Sequence, residues 1–230
     1  MGIVGRKNFG IIYYLVAILL LSGQASLLGL FGAFTKLRDK RVFLILAYLF
    51  FFLIEVSLVA KQGYRYLTPF FPMLAIAGGV GLAQAMKKRW WQTFLITSLI
   101  TWQILLLLQK FPYTGTFFNP LFGGHKTASH VFPLMEQGEG IDKAASFLDT
   151  KVETPYTIAC TTPLMCQQHF KGKTLPASKA EEADYLLFDR NKIVRQLAGN
   201  LWENYQNKKP LYIVSFDNIP YLYLYKRETN

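Results

Sequence analysis

The residues best suited to bind a charged ligand are concentrated in the stretch Lys61–Pro72. Lys61 and Arg65 supply positive charge, Tyr64 and Tyr66 supply hydroxyl groups, and two prolines end the stretch. Apolar runs of membrane-spanning length lie on either side of it. Proteins hold phosphate groups through charge-assisted hydrogen bonds of the kind that these side chains make. The stretch therefore predicts a site for an anionic lipid head group at a membrane surface.

Two features of this site leave alternatives open. The same tyrosines and cations would also suit an interfacial belt that anchors helix ends and binds no ligand. Glu55 is the only carboxylate inside the neighbouring apolar runs, and an isolated charge at membrane depth costs roughly 2.5–3.5 kcal/mol. It is a candidate site carboxylate facing a wet cavity, or a structural partner of Lys61 or Arg65 near the outer surface.

Four apolar segments reach the length that spans a hydrocarbon core, and together they predict an α-helical membrane domain over residues 1–110. The first follows Arg6 and Lys7 but is too long for a signal peptide, so we expect it to be retained as a helix. No broken-helix pair is predicted, which argues against transport. The four predicted transmembrane helices cover residues of about 9–30, 42–60, 68–86 and 90–108.

The charged connections between these segments predict an orientation. Seven Lys and Arg residues lie in the connections around residues 36–41 and 87–89, and five lie on the opposite side. Because cytoplasmic loops carry the excess of Lys and Arg, the site and both chain ends are expected outside the cytoplasm. The sequence thus predicts an integral protein of the plasma membrane whose C-terminal domain is extracytoplasmic.

Small residues recur within two of the predicted spans, at Gly23, Gly29 and Gly32 and again at Gly78, Gly79 and Gly81. No Lys-Ser or Lys-Thr pair follows either group, so a phosphate-binding loop is not indicated. Close helix packing explains the glycines better. Several such faces in four spans suggest more partner helices than this chain supplies.

The chain changes character after Lys110. Residues 111–137 are rich in aromatics, Gly and Pro and predict a membrane-proximal linker, and residues 138–230 predict a small α/β domain. Apolar periodicity in that domain predicts alternating helices and strands and a closing hairpin. The expected elements are a helix through Ile141 and Leu148, a strand over Tyr156–Thr161, a helix from Pro163, a strand over Tyr185–Phe188, a helix with Ile193, Leu197 and Leu201 on its apolar face, and hairpin strands Leu211–Phe216 and Tyr221–Tyr225.

Composition excludes several function classes. The net charge is +11, but residues 1–110 hold 12 of the 25 Lys and Arg and only 2 of the 14 acidic residues. The excess therefore belongs to the membrane flanks and does not indicate nucleic-acid binding. Cys160 and Cys166 fit two buried free thiols better than a disulfide, since one lies in a predicted strand and the other in a predicted helix. Neither a metal site nor a cofactor is expected, and Asp184 and Asp189 fit solvated strand ends.

Three stretches resemble the polytopic GT-C-type glycosyltransferases that use polyprenyl-phosphate sugar donors, among them protein mannosyltransferases and aminoarabinose transferases. Lys61–Pro72 is similar to the loop-to-helix motif ahead of a late span in that family. Two segments of this chain, Asn119–Gly124 and Gly138–Leu148, resemble the region that follows the last span of these enzymes. Ala183–Phe188 with the closing strand resembles their tail domain.

The resemblance implies that Arg65, and with it Lys61, meets the phosphate of a polyprenyl-linked sugar. The family carries its acidic catalytic base in the first extracytoplasmic loop, and the residues before the first predicted span contain no Asp or Glu. The chain is therefore expected to be the C-terminal part of such an enzyme, inactive alone, with a partner polypeptide that carries the N-terminal half and the base. The alternative is a non-catalytic membrane protein whose extracytoplasmic tail binds a partner or an envelope component.

Overall fold

The computed structural model describes residues 10–59, 63–85, 89–132, 134, 138–153 and 155–227. The described chain forms two compact units. One lies within residues 6–127 and the other within residues 128–230. The first is built from helices, and the second is built around a sheet.

Five helices make up most of the first unit. Short 3-10 turns follow at Tyr64–Leu67, Thr114–Thr116 and Pro120–Phe122, and a sixth helix, α6, covers Gly124–Val131. The five are α1 (Ile11–Leu21), α2 (Gln24–Phe34), α3 (Lys40–Leu58), α4 (Phe70–Ala85) and α5 (Arg89–Lys110).

Two of the described helices, α3 and α5, are long and apolar enough to cross a membrane. The 16 described residues of α4 cover about 24 Å at 1.5 Å per residue, less than the roughly 30 Å of a hydrocarbon core. The count rises to three if α1 and α2 form one bent span. The described chain therefore has two or three candidate spans, where the sequence predicted four.

The first predicted span is not one helix. Ser22 and Gly23 both adopt extended backbone angles, and the helices on either side are bent by 118°. The prediction of a single helix over residues 9–30 is wrong, and so is the prediction that no broken-helix pair exists. Asn119 stabilises the break. It donates its backbone N–H to Leu20 O (2.6 Å) and a side-chain amide N–H to Ser22 O (2.9 Å). These bonds satisfy two carbonyls at the end of α1 that the interrupted helix leaves unpaired.

The predicted small-residue packing is confirmed, and both faces belong to this chain. Helices α2 and α4 approach so closely that a Cβ on Gly81 would overlap the carbonyl oxygen of Gly29. A Cβ on Gly32 would lie 2.6 Å from the carbonyl oxygen of Gly81. These contacts explain the glycines by packing within the chain, and the expectation of further partner helices stays a prediction. Gly79 is the one glycine of this group whose Cβ would have no described atom within 4 Å.

The second unit contains a five-stranded mixed sheet in the order β2-β1-β3-β5-β4. Strands β2, β1 and β3 run parallel, whereas β5 runs antiparallel to both β3 and β4. The strands are β1 (Thr157–Cys160), β2 (Lys173–Pro176), β3 (Tyr185–Asp189), β4 (Tyr212–Phe216) and β5 (Ile219–Lys226), and the helices are α7 (Ile141–Lys151), α8 (Pro163–Cys166), α9 (Arg190–Val194) and α10 (Gly199–Glu203).

Most of the predicted elements of this unit are confirmed. Helix α7 buries the apolar face that begins at Ile141, and the closing hairpin turns through Asp217 and Asn218, both at positive φ. The predicted helix through Leu197 is instead two short helices, α9 and α10. Gln196, which lies between them, and Gly199, which begins α10, adopt left-handed angles, and Leu197 is 63% exposed. Its place on a buried apolar face was predicted wrongly.

Cys160 and Cys166 form a disulfide, so the preference for free thiols is wrong. Cys160 ends β1 and Cys166 ends α8, and both side chains are fully buried. The chain turns back sharply at Thr162, which brings a strand end and a helix end together although their sequence separation is only 6. The bridge ties α8 to the centre of the parallel strands.

Aromatic rings fill the core on one side of this sheet. Phe188 of β3 is 1% exposed and lies at the middle of the group. Its ring centroid is 5.4 Å from that of Trp202, 5.9 Å from that of Tyr205 and 5.8 Å from that of Tyr225. Such ring pairs add to the free energy that the burial of apolar area supplies.

Candidate functional site

The predicted phosphate-binding residues lie on one short turn. Tyr64–Leu67 forms a single 3-10 turn that packs against α1. Leu67 is fully buried and holds the turn against the first unit, while Gly63 begins it with extended backbone angles. Tyr64 and Tyr66 are half-buried and Arg65 is exposed. The turn therefore presents one cation on a well-anchored piece of backbone.

Contacts with Tyr66 and Thr68 help to position Arg65. Its guanidinium lies over the Tyr66 ring, 5.5 Å from the ring centroid, a cation–π contact. Its carbonyl oxygen accepts the Thr68 hydroxyl at 2.7 Å and the Thr68 backbone N–H at 3.2 Å. These bonds join the turn to the start of α4, so the position of the cation follows the position of that helix.

The start of α4 adds to the positive potential near Arg65. Pro69 precedes the helix and Pro72 is its third residue, so both predicted prolines lie at the first turn. Unpaired N–H groups and the helix dipole favour an anion at such an end. Phe70 and Leu74 are buried and fix the helix in the unit.

The other two predicted site residues are Lys61 and Glu55. Lys61 lies outside the described residues. Glu55 is exposed on α3, three residues before the helix ends at Leu58. Its exposure and its closeness to the helix end suit a side chain that extends toward a membrane surface.

A set of polar residues that the sequence did not single out surrounds the α1–α2 break. Asn119 is fully buried there, with Ser22 and Gln24 nearly so. Gln103 of α5 reaches the same place, since its Oε1 would lie 3.1 Å from a Cβ on Gly23. The only local signal is the run Ser22-Gly23-Gln24 inside an otherwise apolar segment. The tertiary contacts from Asn119 and Gln103 had no such signal.

Two threonine–aspartate pairs join β1 to β3 in the second unit. Thr157 donates its hydroxyl (2.7 Å) and its N–H (2.8 Å) to Asp184 Oδ2 and accepts the Asp184 N–H at 2.9 Å. Thr161 donates its hydroxyl to Asp189 Oδ2 (2.8 Å) and accepts the Asp189 N–H at 3.0 Å. Asp184 is exposed as predicted, whereas Asp189 is 1% exposed, so its prediction as a solvated strand end is wrong.

The two carboxyls are expected to make opposite contributions to stability as pH changes. Burial raises the pKa of Asp189, although the Lys192 N–H and Thr161 bonds oppose the shift. Hydrogen bonds from Thr157 lower the pKa of Asp184. Asp189 therefore contributes stability below its unfolded pKa of about 3.9, and that contribution is lost as pH rises through its folded pKa. Asp184 contributes stability above the same value, which is lost as pH falls through its own folded pKa.

Urea unfolding of the wild type, Asp189→Asn and Asp184→Asn across pH checks this prediction. The stability of the wild type relative to Asp189→Asn should fall as pH rises from about 3 to 8. Relative to Asp184→Asn it should rise over the acidic part of that range. The same pH dependence in both variants would contradict the assignment.

Among the residues that the structure describes, no group of three or more His, Cys, Asp and Glu side chains could hold a metal ion. The comparison of the chain with protein-family models, with curated proteins and with solved structures found no match.

Proposed function

We propose that this chain supplies the carrier-phosphate site of a membrane glycosyltransferase that takes a sugar from a polyprenyl-phosphate donor to an extracytoplasmic acceptor. The observation that carries the proposal is Arg65, an exposed cation on an anchored turn in an apolar helical unit. Tyr64 and Tyr66 flank it with hydroxyl groups, and α4 begins beside it. An isoprenoid carrier needs this combination, because its phosphate requires a cation at the place where its tail requires an apolar surface.

The chemistry assigns Arg65 to the leaving group. The acceptor oxygen attacks the anomeric carbon of the sugar, and the bond between that carbon and the phosphate oxygen breaks. The electron pair stays on the phosphate, and the acceptor proton passes to a base. Negative charge on the phosphate grows through this step, so a cation fixed against it stabilises the transition state more than the bound donor.

The base is proposed to come from a partner polypeptide that carries the N-terminal half of the enzyme. Helix α5 supports this part of the proposal. None of its described side chains is buried, although it carries Thr97, Ser98 and Thr101 as well as apolar residues. Hydroxyl side chains on a spanning helix suit contact with another helix better than contact with lipid tails.

The disulfide supports the proposed orientation. Disulfides persist in oxidising compartments and are rare in the cytoplasm. The Cys160–Cys166 bridge therefore favours an extracytoplasmic second unit, in agreement with the distribution of Lys and Arg between the loops. We accordingly propose a plasma-membrane protein with its Arg65 turn at the outer surface.

Arg65→Ala tests the proposal. The loss of one charge-assisted contact should weaken the binding of polyprenyl phosphate by about 1.5–3 kcal/mol, which is roughly a 10- to 150-fold rise in Kd. The binding is measured on the full chain in nanodiscs, with its co-purifying partner where there is one. Arg38→Ala is the matched control, because Arg38 is also exposed but lies in the turn before α3.

An unchanged Kd in Arg65→Ala would eliminate Arg65 as the anchor and favour the non-catalytic alternative. Protease added outside intact spheroplasts should cut the second unit. Protection of that unit from external protease would rule out the proposed orientation.

A further inference from the structure

The α1–α2 break contains hydrogen-bonding groups that have no partner among the described residues. Ser22 is 3% exposed and Gln24 is 4% exposed, yet Ser22 Oγ and Gln24 Oε1 make no hydrogen bond to any residue that the structure describes. Gln103 Oε1, which lies against Gly23, is also buried and has no partner in the same part of the chain. A buried acceptor without a donor is unfavourable, and these three meet at one interruption of a helix.

The orientation of the Gln24 amide follows from its neighbours. Asn119 Oδ1 accepts the Leu121 N–H at 3.1 Å, and Asn119 Nδ2 donates to Ser22 O, so the Asn119 amide can be placed in only one way. Its Oδ1 can then receive only a donor from Gln24, whose Nε2 lies 3.4 Å away. Gln24 Oε1 is therefore the end that points away from Asn119 and requires an external donor.

We propose that the α1–α2 break is a binding site for hydroxyl groups, which donate hydrogen bonds to Gln24 Oε1, Gln103 Oε1 and Ser22 Oγ. Two of these three groups are carbonyl acceptors, and none of the three is charged. The ligand that fits them is therefore an uncharged hydrogen-bond donor, such as an O–H group. A sugar hydroxyl and a water molecule both supply it. The inference does not need the transfer reaction proposed above.

Two features give a hydroxyl group access to the break. Gln103 is only half-buried on α5, so its side chain can move from the break without disturbing a packed core. Gly23 has no side chain, and Gln103 Oε1 lies directly beside it, since a Cβ on Gly23 would be 3.1 Å from that oxygen. A methyl group at residue 23 would therefore press on Gln103 Oε1 and hinder a group that approaches it.

Nuclear magnetic resonance of the full chain, labelled with 15N-glutamine in an amine-oxide detergent without hydroxyl groups, tests the proposal. The probe is methyl β-D-glucopyranoside, and its per-O-methylated derivative, which cannot donate, is the control ligand. The glucoside should shift the Gln24 and Gln103 side-chain amide signals saturably, and the methylated derivative should not. Gln24→Leu should weaken the response at Gln103 by roughly three- to tenfold.

Gln92→Leu is the matched control variant, because Gln92 is half-buried on the same helix as Gln103 but its amide already donates to Ala83 O at 2.7 Å. It should leave the response unchanged. Gly23→Ala, which keeps all three acceptors, should weaken the response even if Gln24→Leu fails to fold.

The measurement also separates the two sources of hydroxyl groups. A saturable response to the glucoside identifies a hydroxylated ligand. Magnetisation transfer from water to the Gln24 amide, without a response to the glucoside, identifies water as the donor. The lack of both signals would show a dry break and overturn the proposal.

Discussion

Phe188→Ala is expected to destabilise the second unit by about 3–5 kcal/mol. Phe188 is 1% exposed and contacts the rings of Trp202, Tyr205 and Tyr225. Its removal loses the transfer free energy of a large side chain and leaves a cavity among rings that β3 and β5 hold in place. A small unit has little stability to spare, so most of its folded population should be lost.

Pulse proteolysis of the full chain in increasing urea measures this loss, because the second unit becomes cleavable as it unfolds. Leu164→Ala is the control, since Leu164 is 78% exposed on α8 and should change the midpoint little. Equal midpoint shifts in the two variants would show that Phe188 does not support the core.

Gly81→Ala is expected to destabilise the first unit by about 3 kcal/mol or more, at the top of the range for overpacking. Its Cβ would overlap the Gly29 carbonyl oxygen and lie 2.5 Å from the Ala33 backbone nitrogen. Because both neighbours are backbone atoms, only a separation of α2 from α4 relieves the overlap. The gain of about 1 kcal/mol in helix propensity that alanine brings is too small to offset this cost.

Gly79→Ala is the matched control for this prediction. It makes the same change on the same helix, but a Cβ on Gly79 would have no atom of the described residues within 4 Å. It should be neutral or stabilising by up to about 1 kcal/mol. The thermal unfolding of both variants in detergent gives the comparison. A Gly81→Ala protein as stable as Gly79→Ala would show that α2 and α4 do not pack this closely.

Local sequence patterns were enough to predict much of the second unit. The hairpin was predictable because two alternating runs flank Asp217 and Asn218, residue types that accept the positive φ values found there. Helix α7 was predictable because its apolar spacing coincides with its buried face. In both cases the residues that determine the element lie within the element itself.

The predictions of a solvated Asp189 and of free cysteines are wrong because residues distant in sequence determine the local structure there. Asp189 was predicted to be solvated, but the pairing of β1 with β3 brings Thr161 to it from 28 positions away. The disulfide depends on the turn between β1 and α8, which the spacing of the two cysteines did not reveal. The predicted site remains a hypothesis for Arg65, Tyr64 and Tyr66, which the structure places on one turn, while Lys61 lies outside the described residues.

The break between α1 and α2 was missed for the same reason. Apolar composition continues on both sides of Ser22, so a composition window treats the segment as one span. The bend needs partners for the carbonyls that it frees, and Asn119 supplies them. A prediction from residues close in sequence cannot include Asn119, because it lies 97 positions after Ser22.

During biosynthesis the α1–α2 break must therefore exist for some time without Asn119. Asn119 follows Ser22 by 97 positions, which at common translation speeds is roughly 5–20 s of ribosome time. During that interval the exposed end of α1 has to be covered by water, lipid head groups or the insertion machinery. The asparagine then displaces them, so the arrangement of the first two helices is settled only after the last candidate span has been made.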